Sequence, residues 1–357
     1  MIDFTSDETH VLLNPRMPQD DARTLEQLAR EVPSLPAHVW IATSGTTGSL
    51  RLVALSKDAL LASARAVNDH LGATSRDGWA CVLPTFHVGG LGIYARAMLT
   101  ESRVIAFDWD ARQFIRTVTR EQLTLASLVP AQVRDLVALG EHAPDSMRAI
   151  VVGGGATPVD LYEQARALGW AVLPSYGMTE ACSQIATAAE GSPELEILNH
   201  VEVRVDDDQR LSFRGPSLLS GYAYFDPRGR AAFTDPKVNG WFLSEDRGEV
   251  DGKTLRPLGR AGSFVKIGGE SVDLSRLDAI LDSVRDSIDA AILAVPDDRL
   301  GFVIHLATAS EDVEPIVDAF NARVLPFERI RAVRRVREIP RSPLGKLLRA
   351  RLAAELR

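Results

Sequence analysis

The sequence predicts an α/β protein: a large N-terminal layered α/β domain with a small β subdomain, then a small mobile α+β C-terminal domain. Three observations predict it. From Val39 to about Pro174, short β-rich runs alternate with helical patterns, as in a layered core with a mostly parallel sheet. From His200 to about Arg260 the pattern shifts to short alternating stretches cut by Gly, Pro and Asp turns, placing a β subdomain at about 199–260. After Gly259-Arg260-Ala-Gly the architecture restarts, with glycine supplying torsional freedom. The boundaries are therefore 1–260 for the large domain and 261–357 for a small lid domain. Two unequal units also suit 357 residues at about 150 per domain.

The elements follow in order. Val39-Trp-Ile-Ala and Arg51-Leu-Val-Ala-Leu read as strands. Ser56 offers an N-cap to a helix whose apolar face is Leu60, Leu61, Ala64, Val67 and Leu71. Strand-like Trp79-Ala-Cys-Val-Leu, Arg103-Val-Ile-Ala, Leu125-Ala-Ser-Leu, Ala149-Ile-Val-Val and Trp170-Ala-Val-Leu come next, the last ending at Pro174. The C-terminal unit reads as a strand at Phe264-Val-Lys-Ile, a helix around 274–284, strands at 290–295 and 303–307, and a helix around 313–324. A last amphipathic helix follows Arg341-Ser-Pro-Leu-Gly-Lys346.

Composition excludes several function classes. A hydrophobic fraction of 45% with 25% charged residues is that of a globular chain, not a disordered one. No apolar run approaches the ~18 residues of a membrane helix, so no membrane insertion is expected. Met1-Ile-Asp-Phe-Thr-Ser-Asp lacks the basic-then-apolar order of an export signal, and a cytoplasmic location is expected. Cys81 and Cys182 stand far apart in no metal-ligand spacing and read as two reduced thiols. A net charge of −8 argues against nucleic acid as a partner. Yet Arg323–Arg357 holds 11 Arg or Lys against 3 Asp or Glu, either solvated faces or a cationic patch for a polyanionic small molecule. Lysines number five (Lys57, Lys237, Lys253, Lys266, Lys346), which draws the eye to each.

Several motifs carry chemistry. Thr43-Ser-Gly-Thr-Thr-Gly48 interleaves hydroxyls and glycines between two strands, and such a loop wraps phosphate oxygens or is merely a flexible turn. Ser175-Tyr-Gly-Met-Thr-Glu180 follows a strand, where open α/β sheets bind ligands. There Glu180 is a magnesium ligand, or one half of a Thr-Glu pair at a helix N-terminus. Val152-Gly-Gly-Gly-Ala156 exposes backbone that lies flat against a purine, or simply turns. Asp246 and Arg260 suit two ribose hydroxyls, or a surface ion pair worth under ~1 kcal/mol. Lys346 reads as a lone lysine on a turn after a proline, where its ammonium neutralises charge in a transition state, or as a helix N-terminal lysine, which is mildly unfavourable against the dipole.

In this order, Ser44-Gly-Thr-Thr-Gly48, Pro84-Thr-Phe-His87, Gly153-Gly-Gly-Ala156, Ser175–Glu180, Asp246, Gly259-Arg260, Lys266-Ile-Gly-Gly-Glu270 and Pro340–Lys346 resemble the adenylate-forming superfamily of acyl-CoA synthetases, luciferases and adenylation domains. The resemblance covers about residues 39–350. Phe86-His-Val-Gly-Gly-Leu-Gly-Ile93 and Ser175–Thr187 look most like the o-succinylbenzoate–CoA ligases of menaquinone biosynthesis.

The resemblance implies an acid–CoA ligase that works through an acyl-adenylate, with ATP, magnesium and CoA, on a small aromatic carboxylic acid. It implies that Ser44, Gly45, Thr46, Thr47 and Gly48 hold the β- and γ-phosphates. Gly154, Gly155, Ala156, Tyr176 and Gly177 would border the adenine, Thr179 would touch the α-phosphate, and Glu180 would hold magnesium. Asp246 and Arg260 would hold the ribose. Lys346 would bridge the substrate carboxylate and the α-phosphate, and Gly268-Gly269 would line the CoA path after the small domain rotates. His87, Gly177 and Met178 would flank the acyl pocket. Three features depart from the pattern: Arg51 where Pro-Lys-Gly is usual, Gly262 at the hinge, and only 42 residues before Thr43, so that the N-terminal region reads as shortened. Another aryl or fatty acyl ligase, a carrier-protein ligase, or a non-catalytic nucleotide-binding relative remain alternatives, and a homo-oligomer stays open.

Overall fold

The computed structural model describes residues 2–44, 50–260, 264–267, 270–297, 300–342 and 347–355; within these, the side chains of residues 44, 260, 264, 266, 270, 271 and 350 lie outside the description. Two compact units divide the chain. The first is Met1–Asp206, Leu211–Ser244 and Val250–Arg256; the second is Asp207–Arg210, Glu245–Glu249 and Pro257–Arg357.

Within the first unit, strand periodicity explains the layering. Side chains alternate across a strand, so each face carries its own set. In the smaller sheet, ordered His10–Leu12, His38–Ser44, Leu50–Ser56, Gly221–Phe225 and Ala231–Thr234, Val39, Ile41, Val53 and Leu55 face inward. There they meet Leu60 and Ala64 of helix Lys57–Leu71 and Leu91 and Ala95 of helix Val88–Thr100. Trp40, Leu52 and Ala54 face outward and are covered by Leu25 and Leu28 of helix Gln19–Glu31. Ser56 caps its helix as expected, accepting from the Ala59 amide at 3.1 Å.

The larger sheet runs, neighbour to neighbour, Glu202–Val205, Arg210–Arg214, Phe242–Asp251, Thr254–Arg260, Leu195–Ile197, Ser183–Ala188, Val172–Met178, Ala149–Val152, Leu125–Leu128, Gly78–Cys81 and Arg103–Ala106. From Val172–Met178 onward the pairing is parallel. The central strands of this sheet, Ala149–Val152, Leu125–Leu128 and Gly78–Cys81, are buried throughout because helices cover both faces. The two inner helices pack on Trp79, Cys81, Leu125, Val151 and Leu173. Phe114, Val118, Val133, Leu136, Leu161 and Ala165, from three further helices, pack on Ala80, Ala126, Ile150 and Val172 behind. Residues 199–260 do not make a sheet by themselves; their strands extend both sheets.

Lys57 has a structural task. It is 1% exposed, and its Nζ donates to the carbonyls of Asp3 and Ser6 at 2.6 and 2.9 Å and to the Ser6 hydroxyl at 2.9 Å. A buried ammonium with all three protons bonded is tolerable, and it ties residues 3–6 against the core, where Phe4 is buried.

In the second unit, strands order as Glu270–Asp273, Phe264–Ile267, Gly301–Thr308 and Ala290–Asp297, with Ile330–Arg335 also beside Gly301–Thr308. Ile292, Ile304 and Leu306 meet helices Leu274–Asp282 and Glu314–Asn321. Ala291, Leu293 and Ala307, on the other face, meet Leu352 of helix Arg349–Glu355. Gly259 has φ +99°, and a Cβ there would lie 2.8 Å from the Ser275 hydroxyl, so only glycine suits this start of the unit.

Candidate active site

The Ser175–Glu180 motif differs from expectation in one respect. The strand does not end at Pro174 but runs Val172–Met178 and turns through a single 3-10 turn, Thr179–Ala181, into Ser183–Ala188. Pro174 still pairs with Val152, while Ser175–Met178 find a second partner in Ser183–Thr187, with an irregularity between Tyr176 and Gly177. No long helix starts at Thr179, so a helix dipole does not act on Glu180. Cys182 occupies the left-handed region at φ 58° to make the corner. At Gly177 a Cβ would stand 1.8 Å from the Ser183 carbonyl oxygen, so the hairpin closes only over glycine. Tyr176 packs its ring 6.2 Å from that of Phe213.

Beside this hairpin the Ala149–Val152 strand delivers Gly153-Gly-Gly-Ala156. Gly154, at φ +79°, Gly155 and Ala156 are exposed, leaving bare backbone open to a planar ligand. Ser175 ties the two strand ends by donating its hydroxyl to the Val152 carbonyl at 3.1 Å.

Glu180 is the centre of a polar cluster, its side chain 14% exposed. Its Oε1 accepts from the Tyr222 hydroxyl at 2.8 Å and from Arg51 Nη2 at 3.3 Å. The other carboxylate oxygen takes no hydrogen bond from the described residues. Arg51 also donates from Nε to Thr43 Oγ1 at 3.2 Å and lies 4.2 Å over the Tyr222 ring. In the sequence Thr43 immediately precedes Ser44-Gly-Thr-Thr-Gly48. Among the described residues no group of three or more His, Cys, Asp or Glu side chains could hold a metal. One carboxylate with a spare oxygen fits an ion that brings phosphate and water as its other ligands, which is the habit of magnesium.

His87 stands at the N-cap of helix Val88–Thr100 without capping it through its side chain. Its ring is 4.7 Å from that of Phe86, its Nε2 is buried with no partner among the described residues, and burial lowers its pKa, which favours the neutral ring.

The sequence reading missed Arg96. It sits on the same helix, 1% exposed, and folds back beside Gly92, where a Cβ would meet its Nη2 at 3.1 Å. Nη1 donates to Ser127 Oγ at 3.1 Å and Nη2 to Ser183 Oγ at 3.5 Å, with the Trp79 ring 5.3 Å away. Burial lowers its pKa to about 10, which leaves it charged at neutral pH. No ion pair from a described acid reaches it. The available signal was a lone charge on the otherwise apolar run Val88–Thr100.

Not every expected residue can be placed with these. Gly45, Thr46, Thr47, Gly48, Gly262, Gly268, Gly269 and Lys346 lie outside the described residues, as do the side chains of Ser44 and Arg260. Asp246 lies half-buried on Phe242–Asp251, in the stretch that belongs to the second unit. Thr179, Glu180, Tyr176, Gly177, Met178, His87 and Gly154–Ala156 all lie in the first unit.

Comparison with known proteins identifies the family. The model of the family "AMP-binding enzyme" matches residues 6–223. The 2-succinylbenzoate–CoA ligase of Bacillus velezensis is 30% identical over 333 residues, which are 87% of this chain and 67% of that protein. The o-succinylbenzoate CoA synthetase of Bacillus subtilis, solved with the acyl-adenylate intermediate OSB-AMP, superposes with a TM-score of 0.78 at 25% identity, covering 88% of this chain and 68% of that one. Its complex with ATP and magnesium gives 0.78 at 26%, covering 88% and 69%. Because the family match spans more than half of the chain, including the glycine backbone, Glu180, Arg51 and Arg96, the chain belongs to the AMP-binding enzymes.

Proposed function

We propose that this chain is an ATP-dependent acid–CoA ligase that converts o-succinylbenzoate, ATP and CoA to o-succinylbenzoyl-CoA, AMP and pyrophosphate, a cytoplasmic step of menaquinone biosynthesis. The observation that carries the substrate is Arg96. A buried guanidinium without an acid is costly, and a carboxylate arriving between its fork and two serine hydroxyls relieves that cost. o-Succinylbenzoate has two carboxylates, one to be activated and one to be held. Ser127 and Ser183 flank Arg96, and the Ser183 carbonyl abuts Gly177, so the held group lies beside the backbone expected to border the acyl pocket.

In the first half-reaction the free carboxylate oxygen attacks the α-phosphorus of ATP, forming the acyl–phosphate bond as the bond to pyrophosphate breaks. Such transfers depend chiefly on positioning and charge neutralisation. The exposed backbone of Gly154–Ala156 and the Tyr176 ring would border the base, and Thr179 would donate to the α-phosphate. Glu180 would hold magnesium, which when bound neutralises phosphate charge. Asp246 and Arg260 would hold the ribose, and the Ser44–Gly48 loop the outer phosphates. Lys346, carried by the C-terminal lid domain, would bridge the attacking carboxylate and the α-phosphate. In the second half-reaction the CoA thiolate, reaching the site past Gly268-Gly269, attacks the acyl carbon and AMP leaves. His87, its Nε2 without a partner among the described residues, would line the acyl pocket.

The test is pyrophosphate release across o-succinylbenzoate, benzoate and medium-chain fatty acids, with CoA consumption read in parallel. The expected result is kcat/KM for o-succinylbenzoate at least about 100-fold above any monocarboxylate, the size of one buried charge pair. Equal use of benzoate or fatty acids would transfer the chain to another acyl ligase class. Pyrophosphate release without CoA consumption would point to a carrier-protein acceptor.

A further inference from the structure

The residue that departs most from the family pattern is also one of the most constrained in the site. Arg51 makes three separate contacts: Nε to Thr43 Oγ1, the guanidinium face on Tyr222, and Nη2 to Glu180 Oε1. Tyr222 in turn donates to the same Oε1 at 2.8 Å. Both donors therefore engage one oxygen of the carboxylate, and no described residue donates to the other. Each contact has a geometric reason. A planar fork can donate along Nε and Nη2 in two directions while its face stacks on an aromatic ring; an ammonium on a flexible stem cannot do all three. Arg51 itself is held by strand register, since Leu50–Ser56 pairs residue by residue with His38–Ser44 and places Arg51 opposite Thr43. On its other side Arg51 pairs with Tyr224, next to Tyr222 on Gly221–Phe225. The sheet thus fixes the fork, and the fork with Tyr222 fixes the carboxylate.

We propose that Arg51 is a positioning residue for Glu180: with Tyr222 it pins one carboxylate oxygen so that the other is presented to the magnesium that accompanies ATP. The proposal rests on Glu180 being the metal ligand. It assigns Arg51 to the carboxylate rather than to a phosphate, and it enlists Tyr222, which no sequence motif singled out. Partners that orient a metal-binding carboxylate affect metal affinity directly, commonly by about 10-fold or more when lost.

The experiment titrates Mn2+ into the protein with a non-hydrolysable α,β-methylene ATP and reads free Mn2+ by electron paramagnetic resonance. In parallel, the Mg2+ concentration for half-maximal pyrophosphate release is measured at saturating ATP. Arg51→Lys, which keeps a positive charge, should weaken Mn2+ in the ternary complex about 10-fold. Tyr222→Phe, which keeps the ring under Arg51 and removes only a hydroxyl, should weaken it about 5-fold. The double variant should fall short of the product of the two, because both donors serve one oxygen. If Arg51→Lys raises the KM for ATP while leaving Mn2+ affinity unchanged, Arg51 is a phosphate ligand and the proposal is overturned. Unchanged Mn2+ affinity in Tyr222→Phe overturns the shared pin as well, and this variant keeps the test open should Arg51→Lys fail to fold. Glu180→Gln serves as the separate control. Intact Mn2+ affinity in that variant would remove the metal assignment itself, and the proposal with it.

Discussion

Two arginines of the first unit occupy opposite electrostatic situations. Arg51 is partly exposed, faces a carboxylate, stacks on a tyrosine and is bonded to a threonine. Arg96 is fully buried, touches two serine hydroxyls and meets no described acid. A cation already matched with an anion orients its partner. A buried cation left without one is the proposed carboxylate site, because its burial is costly until an anion arrives. The contrast separates positioning from recognition within one fold.

The largest expected effect tests recognition. Arg96→Met should raise the KM for o-succinylbenzoate by about 100-fold or more, leave the KM for ATP within about twofold, and raise the melting temperature of the ligand-free protein. An unchanged acid KM in steady-state pyrophosphate assays would break the contrast. Next comes Gly177→Ala. Its Cβ would run into the Ser183 carbonyl, so the hairpin must shift, at about 2 kcal/mol or more in chemical denaturation with acid and nucleotide binding both impaired.

His200, partly buried with both ring nitrogens out of solvent, supplies a third case, a group that gives up its charge. Burial lowers its pKa to about 4, and neither ring nitrogen has a partner among the described residues. Its folded pKa lies below the unfolded value of about 6.5, so the unfolded chain binds the extra proton first. The stability it contributes is present above pH 6.5 and is lost as pH falls toward 4, by at most about 3 kcal/mol. Urea denaturation at pH 7.5 and pH 5 checks this; His200→Phe should flatten the difference. The smallest effect sharpens the Arg96 site: Ser127→Ala should raise the acid KM about 5-fold, the size of one hydrogen bond to a charged group.

Much of the fold was legible from period alone. Strands at Val39, Arg51, Trp79, Arg103, Leu125 and Ala149 all lie where β-rich runs had placed them, and Ser56 caps its helix. The strand end expected at Pro174 was wrong, because a hairpin partner across from Ser175–Met178 continues the pairing. Of the motif residues proposed for the site, Glu180, Gly177 and Gly154–Ala156 stand out in linear order as carboxylate and glycine patterns, and the structure describes them in one unit. Arg96, Ser127 and Ser183 were not, being 31 and 56 residues apart along the chain. The Tyr222 contact with Glu180 joins positions 42 apart.

What the amino-acid order determined by itself was the alternation of strands and helices, the glycines that only bare backbone permits, and the chemical types gathered in each motif. These follow from local sterics and from periodicity, which act over a few neighbouring residues. Which arginine would meet an acid and which would be buried without one was decided only by tertiary packing. Charge compensation depends on distances across sheets and layers, and those exist only once the chain has closed upon itself.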